Sequence, residues 1–219
     1  MRHRRLFAFL PLFAAFAVWA NPEAPKSDYN PPLAKASDEA EKAIARFKRD
    51  KALKVDVWAA EPMLAHPVAI AFDEKGRCFV AETFRHSRGV TDNRSHANWL
   101  EDELAARTVA DRVAMYRKYA KDKFKETYEK ERDRVRMLED TKGAGKADRS
   151  TVFCDDFGRA EDGIGAGLLA RQGNVYFTCI PDVWLLKDTK NTGYADVKQS
   201  LSTGYGVHVA FIGHDLHGL

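Results

Sequence analysis

Two nine-residue segments of this chain repeat one another. The first is Asp140-Thr-Lys-Gly-Ala-Gly-Lys-Ala-Asp148, and the second is Asp188-Thr-Lys-Asn-Thr-Gly-Tyr-Ala-Asp196. Each residue of the second segment lies 48 positions after its counterpart, since 188 − 140 = 48. The same spacing relates residues outside the segments: Leu138 to Leu186 and Phe153 to Leu201. A period of about 40 to 50 residues made of short strands and turns is typical of β-propeller blades. We therefore predict a mainly β fold, a partial and truncated β-propeller, with a sandwich or a β-solenoid as alternatives.

The strands of such a unit are visible as two hairpins. Residues Val68–Phe72 and Arg77–Ala81 are apolar runs joined by a turn that ends in glycine, and Gly167–Ala170 with Asn174–Thr178 repeat this pattern. Lys54–Ala59 alternates as a strand does. The pattern would begin again at the last residues, so we expect the chain to be a fragment of a longer ring.

Two helical segments are predicted beside the strands. Ser37 to Lys51 carries apolar residues at helical spacing and predicts a short amphipathic helix. Residues 84–134 predict a helical insertion, in which Thr108 and Asp111 have the spacing of a capping box. We expect this insertion to cover one end of the propeller, and the alternative is a coiled-coil partner site.

The first 20 residues have the layout of a secretory signal peptide, with a basic start, an apolar run and small residues before Asn21. We predict cleavage after Ala20 and a periplasmic or secreted protein. The alternatives are an uncleaved N-terminal anchor and association with the membrane. Residues 21–52 are then a linker with the short helix, and residues 53–219 the partial propeller. The net charge is 35 − 32 = +3 and is matched by three arginines in the first five residues, which argues against a nucleic-acid partner.

Three cysteines, Cys78, Cys154 and Cys179, allow at most one internal disulfide. They form neither a CxxC pair nor a CxxCH motif, so this stretch excludes cysteine-based zinc sites and covalent haem c.

The repeated Asp segments resemble calcium loops, yet lysine stands at their third position, so turn scaffolding is favoured over a bound cation. Gly163-Ile-Gly-Ala-Gly167 resembles a phosphate-binding loop, but a strand rather than a helix follows it. A closely packed turn is therefore the better interpretation.

His214-Asp-Leu-His217 places two imidazoles and one carboxylate within four residues. Such a group can supply a general base with an orienting acid, or two metal ligands, and a hydrogen-bonded structural role is the alternative. We take His214 and His217 as the candidate catalytic residues; cofactor-binding residues stay unknown, and no metal ligand is assigned.

Several motifs in order resemble one family. Trp58-Ala-Ala-Glu-Pro62, Phe79-Val-Ala-Glu-Thr83, the two Asp segments and Gly213-His-Asp-Leu-His-Gly-Leu219 are similar to the N-terminal part of large bacterial membrane-bound dehydrogenases, which belong with the glucose/sorbosone dehydrogenase-like propellers. The resemblance implies a propeller, a sugar or sugar-alcohol substrate and a pyrroloquinoline quinone cofactor. Calcium and haem c would be held only in a C-terminal part outside this sequence, and a cytochrome would be the electron acceptor.

The resemblance also implies roles for the two histidines. His214 falls on the position of the base that takes the substrate hydroxyl proton while hydride passes to the quinone, and His217 falls beside it, where it would orient substrate or cofactor. Our hypothesis is therefore an exported quinoprotein-type dehydrogenase fragment that is inactive alone. The alternatives are a non-catalytic extracytoplasmic propeller that binds carbohydrate or a protein partner, and a metal-dependent hydrolase.

Overall fold

A computed structural model of the chain describes residues 27–209 and 215–219. Its strands form two four-stranded antiparallel sheets, each ordered along the chain. Sheet A contains β1 (Pro67–Phe72), β2 (Cys78–Glu82), β3 (Asp133–Glu139) and β4 (Arg149–Phe157). Sheet B contains β5 (Gly165–Arg171), β6 (Asn174–Cys179), β7 (Asp182–Lys187) and β8 (Val197–Thr203). The mainly β class is thus confirmed, in an open arrangement of two sheets, and both predicted hairpins are present as β1–β2 and β5–β6.

The helices lie in the two regions where the sequence predicts them. Helix α1 covers Glu39–Ala45 and is shorter than expected. The insertion between β2 and β3 holds α2 (Leu100–Ala105), α3 (Val109–Ala120) and α4 (Phe124–Tyr128), with short 3-10 turns at Asn93–Ser95, Ala97–Trp99 and Lys121–Lys123. The capping box is confirmed at the start of α3, where Thr108 Oγ1 accepts from the Asp111 N–H and the Asp111 carboxylate accepts from the Thr108 N–H.

The two repeated Asp segments occupy equivalent places, since one joins β3 to β4 and the other joins β7 to β8. Their hydrogen bonds are also equivalent: the Gly145 N–H donates to Asp140 at 2.7 Å, and the Gly193 N–H donates to Asp188 at 2.7 Å. In each turn the threonine after the first Asp donates to the closing Asp. The carboxylates therefore hold the turns together by accepting backbone N–H groups.

Sheets A and B pack face to face around one apolar core, and β5 lies against β1 and β2. The core is built from alternate residues of both sheets, because successive side chains of a strand point to opposite faces. Its large buried members are Phe79, Met137, Phe153, Phe157, Phe177, Trp184 and Leu186. The predicted close packing of the glycine run is also seen, because a Cβ at Gly165 would collide with the Phe177 ring.

The strand predicted at Lys54–Ala59 is not formed among the described residues, where the structure assigns these six no regular secondary structure. A strand needs a hydrogen-bonded neighbour, and within the described residues these six pair with no strand. The segment still lies against sheet A, since the Ala147 N–H donates to the Trp58 carbonyl at 2.9 Å. Trp58, Met63 and Leu64 pack on an apolar cluster that includes Val80 and Leu138.

The antiparallel order gives the stacked sheets two distinct ends. The hairpin turns and the two Asp segments lie at one end, which we call the turn end. The helical insertion, residues 158–164, the Ile180-Pro181 pair and the chain after β8 lie at the other, which we call the loop end. The insertion is attached there, because Trp99, Tyr116 and Tyr128 share a buried cluster with Ala160 and Val209.

The predicted signal peptide, residues 1–20, lies outside the described residues. Of the helices that the structure describes, none has the length and apolar character needed to cross a bilayer.

Candidate functional site at the loop end

The candidate histidine segment lies at the loop end, beside β5 and β6. Two hydrogen bonds anchor it: the Ile164 N–H donates to the Asp215 carboxylate at 2.6 Å, and the Thr178 hydroxyl donates to the Leu216 carbonyl at 2.5 Å. Gly167 of β5 is also in close contact, since a Cβ there would lie 3.3 Å from the Gly218 nitrogen. His214 lies outside the described residues, whereas Asp215 and His217 are placed by these contacts.

The chain before His214 is anchored by the helical insertion. Glu103 of α2 is buried and accepts the Val209 N–H at 2.6 Å, and its backbone carbonyl lies 3.0 Å from His208 Nδ1. Asn93 donates its amide to the Val209 carbonyl at 2.7 Å. The backbone is therefore held at Val209 on one side of His214 and at Asp215 on the other.

Asp215 and His217 lie close enough for their charges to interact. Burial raises the pKa of the Asp215 carboxyl, and this shift is opposed by the Ile164 N–H and by the positive charges of Arg112 and His217. The His217 side chain is exposed to solvent, while Asp215 is partly buried. An exposed imidazole next to a carboxylate can form hydrogen bonds to a ligand at the surface.

Asp133 is a buried carboxylate at the loop end. It accepts the N–H groups of Phe84 at 2.7 Å, Arg85 at 3.0 Å and Gly165 at 3.0 Å, and so joins the ends of β2, β3 and β5. Burial raises the pKa of Asp133 to about 6, and the three N–H donors and the charge of Arg85 oppose this rise without cancelling it.

Arg85 balances the charge of Asp133 and ties the loops together. Its guanidinium group is completely buried and donates to five backbone carbonyls, those of Tyr128, Glu131, Gly89, Arg159 and Asp162. These carbonyls belong to the insertion and to the β4–β5 connection, so one side chain fixes both at the loop end. Sequence reasoning missed Arg85, and its one signal was an arginine three residues after the end of β2, a mainly apolar strand.

An arginine bridge continues the polar layer along sheet B. Arg159 donates to Asp162 at 2.7 Å and lies 3.4 Å from Asp182, while its guanidinium carbon is 5.6 Å from the centre of the Trp184 ring. Carboxylates and guanidinium groups thus lie next to one another at the loop end. Each carboxylate named here accepts at least one hydrogen bond.

Metal ligation finds little support in the described residues 27–209 and 215–219, where no three His, Cys, Asp or Glu side chains cluster in a way that could hold an ion. The three cysteines are buried and unbonded to one another.

The fold and the site define a mainly β protein with two stacked antiparallel sheets and a helical insertion over one end. Residues 39–211, most of the chain, match the model of one family, described as a domain of unknown function, DUF7133. The chain belongs to this family. Neither a curated protein nor a solved structure matches it.

Proposed function

We propose that sheets A and B are neighbouring blades of a β-propeller of the glucose/sorbosone dehydrogenase-like type. The support is the equivalence of the two units: both are meanders of four antiparallel strands, and both close β-strands three and four with the same Asp-bounded turn. The first strands, β1 and β5, lie next to each other, as the innermost strands of adjacent blades do. Further sheets complete the ring in this proposal, since two sheets leave it open.

In such a ring the first strand of each blade lines the central axis. The segment with Asp215 and His217 runs beside Gly167 of β5, so it reaches the axis at the loop end. This position of the Asp215–Gly218 segment is the observation that supports the functional proposal, because ligand sites form in concave places such as the central channel of a propeller.

The chemistry that we propose for the full-length protein is oxidation of a sugar or sugar alcohol, which would require a hydride acceptor held outside the described residues. His214 takes the proton of the substrate hydroxyl, and His217, close to Asp215, orients that hydroxyl. An imidazole is suited to this task because it exchanges a proton near neutral pH. The ring nitrogens of the second imidazole, His217, can donate a hydrogen bond to the substrate oxygen or accept one from its hydroxyl.

The cofactor implied by the resemblance is pyrroloquinoline quinone, a tricarboxylate, which requires a cationic cradle. The described groups near His217 do not fit it. Asp215 is acidic, and the nearby guanidinium groups, those of Arg112 and Arg85, are buried and donate to backbone carbonyls. We therefore derive no step through the quinone, and assign this part of the chain the binding of substrate and the movement of its proton.

The test uses the natural full-length protein, supplied with the quinone and calcium, and measures dye reduction with a panel of aldoses and alditols. We expect His214→Asn to abolish turnover and His217→Asn to raise KM, because the first removes the base and the second an orienting donor. The matched control is His86→Asn, an exposed histidine on the insertion. Carbohydrate binding that needs no quinone and survives His214→Asn, with no turnover in the wild type, would instead establish the non-catalytic alternative.

A further inference from the structure

The segment of residues 54–59 holds the same position against sheet A that β4 holds against sheet B. In the first Asp turn, the Ala147 N–H donates to the Trp58 carbonyl at 2.9 Å. In the second turn, Ala195 lies 48 positions later and its N–H donates to the Phe153 carbonyl of β4 at 2.8 Å. The same contact thus recurs with the repeat, and Trp58 corresponds to Phe153.

The side chains agree with this correspondence. Val57-Trp58-Ala59 and Val152-Phe153-Cys154 both place an aromatic residue between two small apolar residues. Trp58 and Ala59 pack against Leu138 of β3, and Phe153 and Cys154 belong to the core that contains Leu186 of β7, the counterpart of Leu138. By this criterion residues 54–59 are the outer strand of a sheet that precedes sheet A in the stack.

The rest of that sheet is not formed by the described residues. Within them, the Trp58 carbonyl is the one backbone group of residues 54–59 that pairs with another segment. Next to residues 54–59, the side chains of β1 that point away from sheet B are uncovered: Ile70 is 60% exposed and Phe72 is 56% exposed. The matching side chains of β5, Leu168 and Ala170, are exposed by only 7% and 6% because sheet A covers them.

We propose that residues 54–59 pair with a three-stranded β-meander of the same polypeptide, which covers Ile70 and Phe72. This inference rests on the propeller proposed above and names how that ring closes. An unpaired strand edge beside an apolar face is a template for strand addition, because its backbone groups lack partners and the face beside it is uncovered.

A second copy of the chain fits this surface less well. The uncovered face of sheet B already carries its own outer strand, β8, with Leu201 half exposed. If that four-stranded sheet covered β1 of another copy, β8 would fall where residues 54–59 lie. Residues 54–59 already occupy the outer position beside β1, so three strands remain to be added there. Only a sheet that lacks its own outer strand supplies them.

Amide hydrogen exchange on the natural full-length protein tests this pairing. In an extended chain, neighbouring residues point their backbone groups to opposite sides, so the N–H groups of Val55, Val57 and Ala59 face away from the bond at Trp58. We expect these three amides to exchange at least about tenfold more slowly than unpaired amides, at every protein concentration. Val57→Pro should remove that protection, and the matched control Asp56→Pro should keep it, since the Asp56 N–H lies on the other side.

A second readout, alkylation of an Ile70→Cys variant, separates failure of this inference from failure of the propeller. Fast exchange at residues 55, 57 and 59, together with a cysteine protected from alkylation, would overturn the pairing but leave the propeller proposal standing. Fast exchange with a reactive cysteine would overturn both. Protection that grows with protein concentration would show that a second copy supplies the strands, and would also overturn the inference.

Discussion

Replacing Arg85 with methionine should destabilise the protein strongly, because the side chain keeps its volume and loses its charge and donors. Five backbone carbonyls would lose their hydrogen bonds, and Asp133 would keep its buried carboxylate without a cation. Leaving a buried charge without the opposite charge that compensates it costs about 3–5 kcal/mol. A hydrogen bond to a charged group contributes about 1.5–3 kcal/mol to stability, but the contributions of five bonds on one group do not add. We therefore expect the free energy of unfolding to fall by about 3–5 kcal/mol.

The assay is urea unfolding of wild-type and Arg85→Met protein, followed by circular dichroism, with the loss read from the shift in midpoint at constant slope. Arg88→Met, on an exposed arginine of the same loop, is the control and should change stability by less than about 0.5 kcal/mol. Arg85→Lys keeps the charge with fewer donors and should fall between them. A loss below about 1 kcal/mol for Arg85→Met would refute the role of Arg85 as the tie between the insertion and the β4–β5 connection.

Three further predictions concern the core and its titration. The folded state binds the Asp133 proton more tightly than the unfolded state, because the folded-state pKa is about 6 and the ordinary value is 3.8. The stabilisation from Asp133 should therefore fall as pH rises from about 4 to about 6 and stay constant at higher pH. Asp133→Asn should flatten that part of a stability profile measured by urea unfolding. All three cysteines are buried, and burial raises the pKa of Cys78 and Cys154 to about 11. The three thiols should therefore react with Ellman's reagent only after denaturation. Rapid reaction of the native protein would contradict their burial. Gly165→Ala should lower the free energy of unfolding by about 1–3 kcal/mol because its methyl group meets the Phe177 ring; an unchanged thermal midpoint would show that the ring has room to move.

Features that depend on neighbouring residues in the sequence could be predicted. The hairpins around Asp73–Gly76 and Gln172-Gly173 follow from turn residues between apolar runs, and the capping box at Thr108 follows from a spacing of three. The equivalence of the two Asp turns could also be predicted, because each carboxylate bonds to N–H groups four to seven residues away.

Features that depend on the packing of distant segments could not be predicted. Lys54–Ala59 has the alternation of a strand, but a strand forms only beside a hydrogen-bonded neighbour, and periodicity does not report one. Arg85 reads as a surface residue, and its burial depends on carbonyls that lie up to 77 positions away. The anchoring of Asp215 by Ile164 and of Val209 by Glu103 joins segments 51 and 106 positions apart, so the placement of the histidine segment required the fold.

The most direct test of the central claim is a crystal structure of the natural full-length protein. The account predicts a closed ring in which sheets A and B are consecutive blades, with residues 54–59 as the outer strand of the sheet beside β1 and His214 and His217 facing the axis. A structure in which the exposed faces of sheets A and B meet solvent or helices, with the histidine segment away from any central cavity, would contradict it.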